Sequence, residues 1–106
     1  MTYYDLYGTR ALPIDELQAA TGSALQVSFE RRYNDDLGYY YKSRNGDEVF
    51  EIVRNFRDDR PEDEIVRPEF ADHGVLLFVS HTERPDDIQD ALLEIAGLEH
   101  LKREIL

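Results

Sequence analysis

The feature that most constrains this chain is its one continuous apolar run, Val75-Leu76-Leu77-Phe78-Val79, in a sequence that is 33% charged. A short apolar run of this kind, bounded here by Gly74 and Ser80, is typical of a strand that is buried on both faces. We therefore predict a strand over residues 74–80, placed near the centre of a sheet.

Four further segments are predicted to be strands: residues 2–8, 24–32, 39–43 and 48–56. In the second of these, Leu25, Val27 and Phe29 alternate with polar residues, as expected of a half-buried strand. Between the last two lies Asn45-Gly46, the strongest short signal for a β-hairpin. The inward face of the strand over 48–56 is ambiguous, because its apolar residues do not alternate cleanly.

Two helices are predicted, each beginning near a proline, which suits the first helical position. The first begins at Pro13 and ends at Gly22, a residue type that is common just past a helix end. The second begins at Pro85 and keeps apolar residues at helical spacing as far as Ile105. Gly97 either kinks this second helix or splits it in two.

The predicted order is β-α-β-β-β-loop-β-α. This order favours an α+β fold, a mostly antiparallel sheet of about five strands with two helices on one face. A chain of 106 residues is the size of one domain, so residues 1–106 are assigned to a single domain. Within it, residues 57–72 contain seven acidic side chains and are predicted to be an acidic surface loop.

Charge and composition limit the classes of partner and of site that this chain can have. With 23 acidic and 12 basic residues the formal net charge is −11, so nucleic acid and anionic lipid are not expected as partners. The absence of cysteine excludes disulfides, thiolate metal sites and a cysteine nucleophile. The apolar run is too short for a membrane helix, and the N-terminal residues lack a signal-peptide pattern, so we expect a cytoplasmic protein.

Motifs that carry catalysis are missing. The sequence has no Gly-x-Ser-x-Gly elbow, no phosphate-binding loop and no dinucleotide fingerprint. His73 and His81 would lie at opposite ends of one strand, roughly 25 Å apart, too far to share an ion. The acidic turn at residues 34–38 lacks the ligand spacing of a calcium loop. We predict no enzyme activity, no catalytic, cofactor-binding or metal-binding residue, and no cofactor.

Two features suit protein binding. In an extended strand Tyr39 and Tyr41 share one face while Tyr40 takes the other, and tyrosine is enriched at interface hot spots. Acidic residues in the turn and the loop would form a charged rim around such an interface. The alternative to a binding role is that the tyrosines pack in the core and that the acidic side chains are simply solvated. The candidate partner-binding residues are Tyr39, Tyr40, Tyr41, Asp35, Asp36, Asp58, Asp59, Glu62, Asp63 and Glu64.

The order of short motifs resembles that of small bacterial immunity proteins, the antidotes encoded beside polymorphic or contact-dependent toxins. The resemblance rests on these segments: Pro13-Ile14-Asp15-Glu16-Leu17, Phe29-Glu30-Arg31-Arg32, Gly38-Tyr39-Tyr40-Tyr41, Asn55-Phe56, Pro68-Glu69-Phe70 and Pro85-Asp86-Asp87. It implies a cytoplasmic protein that neutralises a cognate toxin by occluding its active site. A toxin with a basic cleft would attract so acidic a chain.

Two other functions are consistent with the sequence. One is a small ligand-binding or enzymatic domain in which His73, His81 and acidic residues line a pocket. The other is a regulatory domain that self-associates through sheet edges or through the apolar positions of residues 98–106.

Overall fold

A computed structural model describes residues 1–56 and 65–105. Within these ranges six strands form one sheet, and two α-helices accompany it. The elements are β1 (Tyr3–Thr9), α1 (Ile14–Leu25), β2 (Glu30–Asn34), β3 (Gly38–Asn45), β4 (Glu48–Arg54), β5 (Val75–Thr82), α2 (Pro85–Leu92) and β6 (Leu98–Ile105). The predicted α+β class is confirmed, with six strands where about five were expected.

The strand order is β2-β3-β4-β5-β1-β6, and every neighbouring pair is antiparallel. β5, which contains the apolar run, lies inside the sheet between β4 and β1, as predicted. In β1, α1, β4, β5, α2 and β6 the chain follows the ferredoxin-like split β-α-β arrangement, in which the first strand lies between two strands joined by a helix. The hairpin of β2 and β3 extends this sheet beyond β4.

Both helices pack on one side of the sheet, where the larger part of the core forms. Its fully buried members include Tyr7, Phe50 and Leu77 from the strands, with Leu17 of α1 and Leu92 of α2. The expected placement of the two helices on one face is therefore confirmed.

The opposite side of the sheet, called here the open face, carries a smaller apolar cluster around Leu6, Val53 and Leu76. Part of its cover comes from Val66 and Phe70, in the segment that leads into β5. β4 therefore contributes apolar residues to both sides, which explains why its inward face was ambiguous from the sequence.

The prediction of a helix through Ile105 was wrong. α2 ends at Leu92, and Gly97 has a φ of 89°, which a right-handed helix cannot contain. Residues 98–105 instead form β6, an edge strand paired with β1. A register shift in this pairing places Leu98 in the helix-side core and Leu101 against the open-face cluster. The apolar residues of this strand are therefore spaced as in a helix, although they pack on opposite faces of the sheet.

The strand predicted over residues 24–32 was also largely wrong. α1 continues past Gly22 to Leu25, and β2 begins only at Glu30. A Cβ atom at position 22 would lie 3.0 Å from the backbone oxygen of Val27, so Gly22 permits a close approach of the chain rather than ending the helix. Val27 and Phe29 pack against the helix-side core outside any strand.

Candidate partner-binding surface

The three consecutive tyrosines of β3 alternate across the sheet, as their spacing predicted. Tyr40 packs against the open-face cluster, and Tyr41 packs against the helix-side core. The Tyr41 hydroxyl donates a hydrogen bond to Asp15 of α1, which raises the pKa of Tyr41. Tyr39 is 48% exposed, so it is the most exposed member of the trio.

Tyr39 belongs to a surface group that we call the hairpin cluster, formed by Arg31, Tyr33 and Tyr39. The rings of Tyr33 and Tyr39 meet edge to face with centroids 5.2 Å apart, and the Arg31 guanidinium lies 4.1 Å from the Tyr39 centroid. Tyr33 is 57% exposed. Cation–π and aromatic contacts hold these side chains together at the surface, so they form a preassembled patch of the residue types that dominate binding energy.

Of the hairpin cluster, only Tyr39 was among the residues predicted to bind a partner; Tyr33 and Arg31 were not. Both lie on β2, whose register with β3 places Tyr33 opposite Tyr39 and Arg31 opposite Tyr41. The only available signal was that Arg31 and Tyr33 alternate within a short polar strand.

The predicted acidic residues fall into two groups. Asp35 and Asp36 are exposed in the turn between β2 and β3, where the Asn34 side chain accepts a 2.7 Å hydrogen bond from the Leu37 backbone N–H. They therefore lie at the tip of the hairpin that carries Tyr33 and Tyr39. The loop residues Asp58, Asp59, Glu62, Asp63 and Glu64 lie outside the described residues.

The segment after that loop is tied to the end of β4 by Asn55, whose side chain is fully buried. Its amide donates hydrogen bonds to the backbone oxygens of Phe70 at 2.9 Å and His73 at 3.0 Å, and a longer one of 3.4 Å to that of Arg67. Its side-chain oxygen accepts one from the Arg67 N–H at 2.8 Å. One side chain thus fixes residues 67–73 against the open face.

The helices present negative charge to solvent. Their sequences contain five acidic residues and no basic one: Asp15, Glu16, Asp86, Asp87 and Asp90. Asp15 is engaged by Tyr41 and Asp86 by Arg103. Glu16, Asp87 and Asp90 form no ion pair with the described residues, so this layer has uncompensated negative charge.

Two buried carboxylates have structural partners. Glu48 accepts hydrogen bonds from both Nε and Nη2 of Arg84, each at 2.9 Å, and from the Thr82 hydroxyl at 2.7 Å. The bond from Arg84 holds the pKa of Glu48 below its ordinary value. Asp5 accepts two bonds of 2.9 Å from Arg103, which joins β1 to β6 and reaches α2 through Asp86.

The three histidines lie in three separate contacts. His73 is 2.6 Å from Glu99, His81 lies against Tyr4, and His100 stacks edge-on against Tyr7. His73 and His81 flank opposite ends of β5, so the structure does not bring them into one pocket. In the described ranges no three histidine or carboxylate side chains are placed to hold a metal ion.

Across residues 1–56 and 65–105, neither helix has the length and apolar character needed to cross a bilayer. No protein-family model matches the chain, and no curated protein matches it in sequence.

Proposed function

We propose that this protein is a cytoplasmic immunity protein: a non-enzymatic inhibitor that binds a cognate toxin and occludes the toxin's basic active-site cleft. The observation that carries the proposal is the hairpin cluster. Large aromatic residues lose little conformational entropy on binding and supply most of the energy at protein interfaces, with arginine the other enriched type. Arg31, Tyr33 and Tyr39 present these types together on a hairpin that extends the sheet.

Charge supplies the second argument. The net charge of −11 would steer a basic partner toward the molecule, as would Glu16, Asp87 and Asp90 of the helical layer, which form no ion pair with the described residues. Asp35 and Asp36, at the hairpin tip, would then contribute a charged rim beside the aromatic patch. Steering acts mainly on the association rate, whereas burial of the tyrosines acts mainly on the dissociation rate.

The proposal is tested by co-expressing the chain with the protein encoded beside it. We expect the neighbour to arrest growth when expressed alone, and the pair to grow normally and to elute as one complex in gel filtration. A harmless neighbour that forms no complex would contradict the proposal and would favour a ligand-binding or self-associating domain.

The interface is mapped on the same complex. Tyr33→Ala and Tyr39→Ala are each expected to weaken binding by roughly 30-fold, the loss typical of a hot-spot residue. Ile105→Ala is the matched control, because Ile105 is 55% exposed on the strand at the opposite edge of the sheet. Equal losses in all three variants would show that the hairpin cluster is not the binding site.

The acidic loop is tested separately by reversing the charges of Asp58, Asp59, Glu62, Asp63 and Glu64. If the loop grips a basic cleft, the association rate falls steeply and loses its dependence on salt. An unchanged rate would remove the loop from the interface while leaving the hairpin cluster as its centre.

A further inference from the structure

The open face contains a cleft of about 450 Å³ between β5, β1 and β6. Leu6 and Phe78 are cross-strand neighbours and form its apolar floor, and Lys102 is the neighbour of Leu6 on the other side. A volume of this size is within the range of small-molecule sites, which combine an apolar surface with a few placed polar groups.

Two cations flank this floor. The Arg67 guanidinium lies 5.1 Å from the Phe78 ring centroid, and the Arg67 backbone is held by Asn55. Lys102 is more than half exposed and pairs with Glu104 at 2.9 Å. The guanidinium therefore sits over an aromatic surface, in a position to contact a negative group bound beside it.

The charges that line this cleft are equal in number: Arg67 and Lys102 are basic, and Asp5 and Glu104 are acidic. Asp5 is buried and bonded to Arg103, and Glu104 pairs with Lys102. Arg67 forms no ion pair with the described residues, so its guanidinium is the lining charge that a bound anion would neutralise. At physiological ionic strength charges beyond about 8 Å are largely screened, which limits the effect of the distant acids of the helices.

A strained residue positions one wall of the cleft. The register between β1 and β5 shifts opposite Tyr4, and His81 in this bulge has a φ of 57°. A non-glycine residue is disfavoured in that conformation. The exposed His81 ring meets the Tyr4 ring at 4.9 Å, and its Nδ1 lies 2.9 Å from the Tyr4 hydroxyl. Bulges of this kind often re-aim a side chain beside a functional site.

We propose that this cleft binds a small aromatic anion, whose ring packs on Phe78 and Tyr4 and whose carboxylate or sulfonate contacts Arg67 and Lys102. In this site His81 is a positioning residue that holds the Tyr4 ring. The proposal does not rest on toxin binding.

The test is a titration of the intact chain with the aromatic sulfonate 8-anilinonaphthalene-1-sulfonate, followed by its fluorescence and by amide NMR shifts. We expect saturable binding at one site, with shifts concentrated in the residues that line the cleft, among them Tyr4, Arg67, Phe78 and Lys102. Arg67→Glu and Lys102→Glu should each weaken binding at least tenfold. Arg44→Glu is the control, since Arg44 lies on the open face outside this cleft.

Absence of saturable binding, dispersed NMR shifts, or an equal loss in Arg44→Glu would overturn the proposal. The role of His81 has its own test in His81→Gly, which removes the strain. This variant should unfold at a higher urea concentration than the wild type and yet bind the probe several-fold more weakly. Unchanged affinity in His81→Gly would contradict a positioning role for His81.

Discussion

At the scale of single residues, two buried polar side chains, Asn55 and Glu48, each hold several neighbours through hydrogen bonds. The Asn55 side-chain amide pairs with the backbone of residues 67–73 in place of a neighbouring strand. Its N–H groups donate to backbone oxygens, and its oxygen accepts from a backbone N–H. Glu48 similarly collects Arg84 and Thr82 at the other end of β4. Such groups are costly to bury alone, so removing one partner leaves the others without compensation.

Replacing Asn55 by alanine should lower the free energy of unfolding by about 3 kcal/mol, because several buried backbone groups lose their partners. Urea unfolding measures this loss, and amide exchange should show that the Arg67 N–H loses protection. Asn45→Ala is the control: Asn45 is exposed and makes one 3.3 Å bond to Glu48, so it should change stability by less than about 1 kcal/mol. Similar losses in both variants would contradict the role given to Asn55.

Glu48 should make stability depend on pH. Because its pKa is lower in the folded state, its contribution is complete above the unfolded value of about 4.3 and is lost as the pH falls through the folded value. Glu48→Gln should therefore cost about 2 kcal/mol at neutral pH and converge with the wild type in acid.

The measurement is urea unfolding from about pH 2 to pH 7, the range over which carboxylates titrate. Glu51→Gln is the matched control, since Glu51 lies on the same strand and forms no ion pair with the described residues. A constant difference between Glu48→Gln and the wild type at every pH would rule out the proposed linkage.

At the scale of elements, the sequence predicted what depends on local chemistry. The hairpin of β3 and β4 follows from Asn45-Gly46, and the interior position of β5 follows from its apolar run. β6 was missed because its status is set by distant pairing with β1, which outweighs the helical spacing of its leucines. Arg31 and Tyr33 of the hairpin cluster were missed for the same reason, because their contacts with Tyr39 depend on the register of β2 with β3.

Gly46, in the turn between β3 and β4, can be compared with Gly74, which directly precedes β5. Gly46 has a φ of 64° and open space around it, so Gly46→Ala should cost about 1 kcal/mol through backbone strain alone. At Gly74 there is equal space without a positive φ, and Gly74→Ala should be neutral or stabilising by up to about 1 kcal/mol. Thermal unfolding measures the change in stability of both variants. A loss of stability in Gly74→Ala as large as that in Gly46→Ala would contradict this prediction.

At the scale of the whole molecule, charge opposes compactness. A net charge of −11 on 106 residues destabilises the folded state through self-repulsion. The charged residues along the edge strands β2 and β6 also discourage pairing between copies. Both the self-repulsion and the protection of the sheet edges arise from many charges together and not from any single residue.

Salt should therefore stabilise the protein. Raising NaCl from about 10 mM to about 500 mM shortens the screening length from about 30 Å to a few ångströms, and we expect the Tm to rise by about 4 °C. A variant combining Glu16→Gln, Asp87→Asn and Asp90→Asn should show a smaller rise. If salt lowers the Tm, the buried ion pairs of Glu48 and Asp5 matter more than the overall repulsion.

The position of β1 also has a consequence for synthesis on the ribosome. Among the described strands β1 pairs with β5 and β6, both of which follow it at a long distance in the sequence. Its residues Leu6 and Tyr7 therefore have no strand neighbours until β5 has been synthesised. We expect nascent chains that stop before β5 to remain substrates for proteases, because the core cannot form until β5 is available.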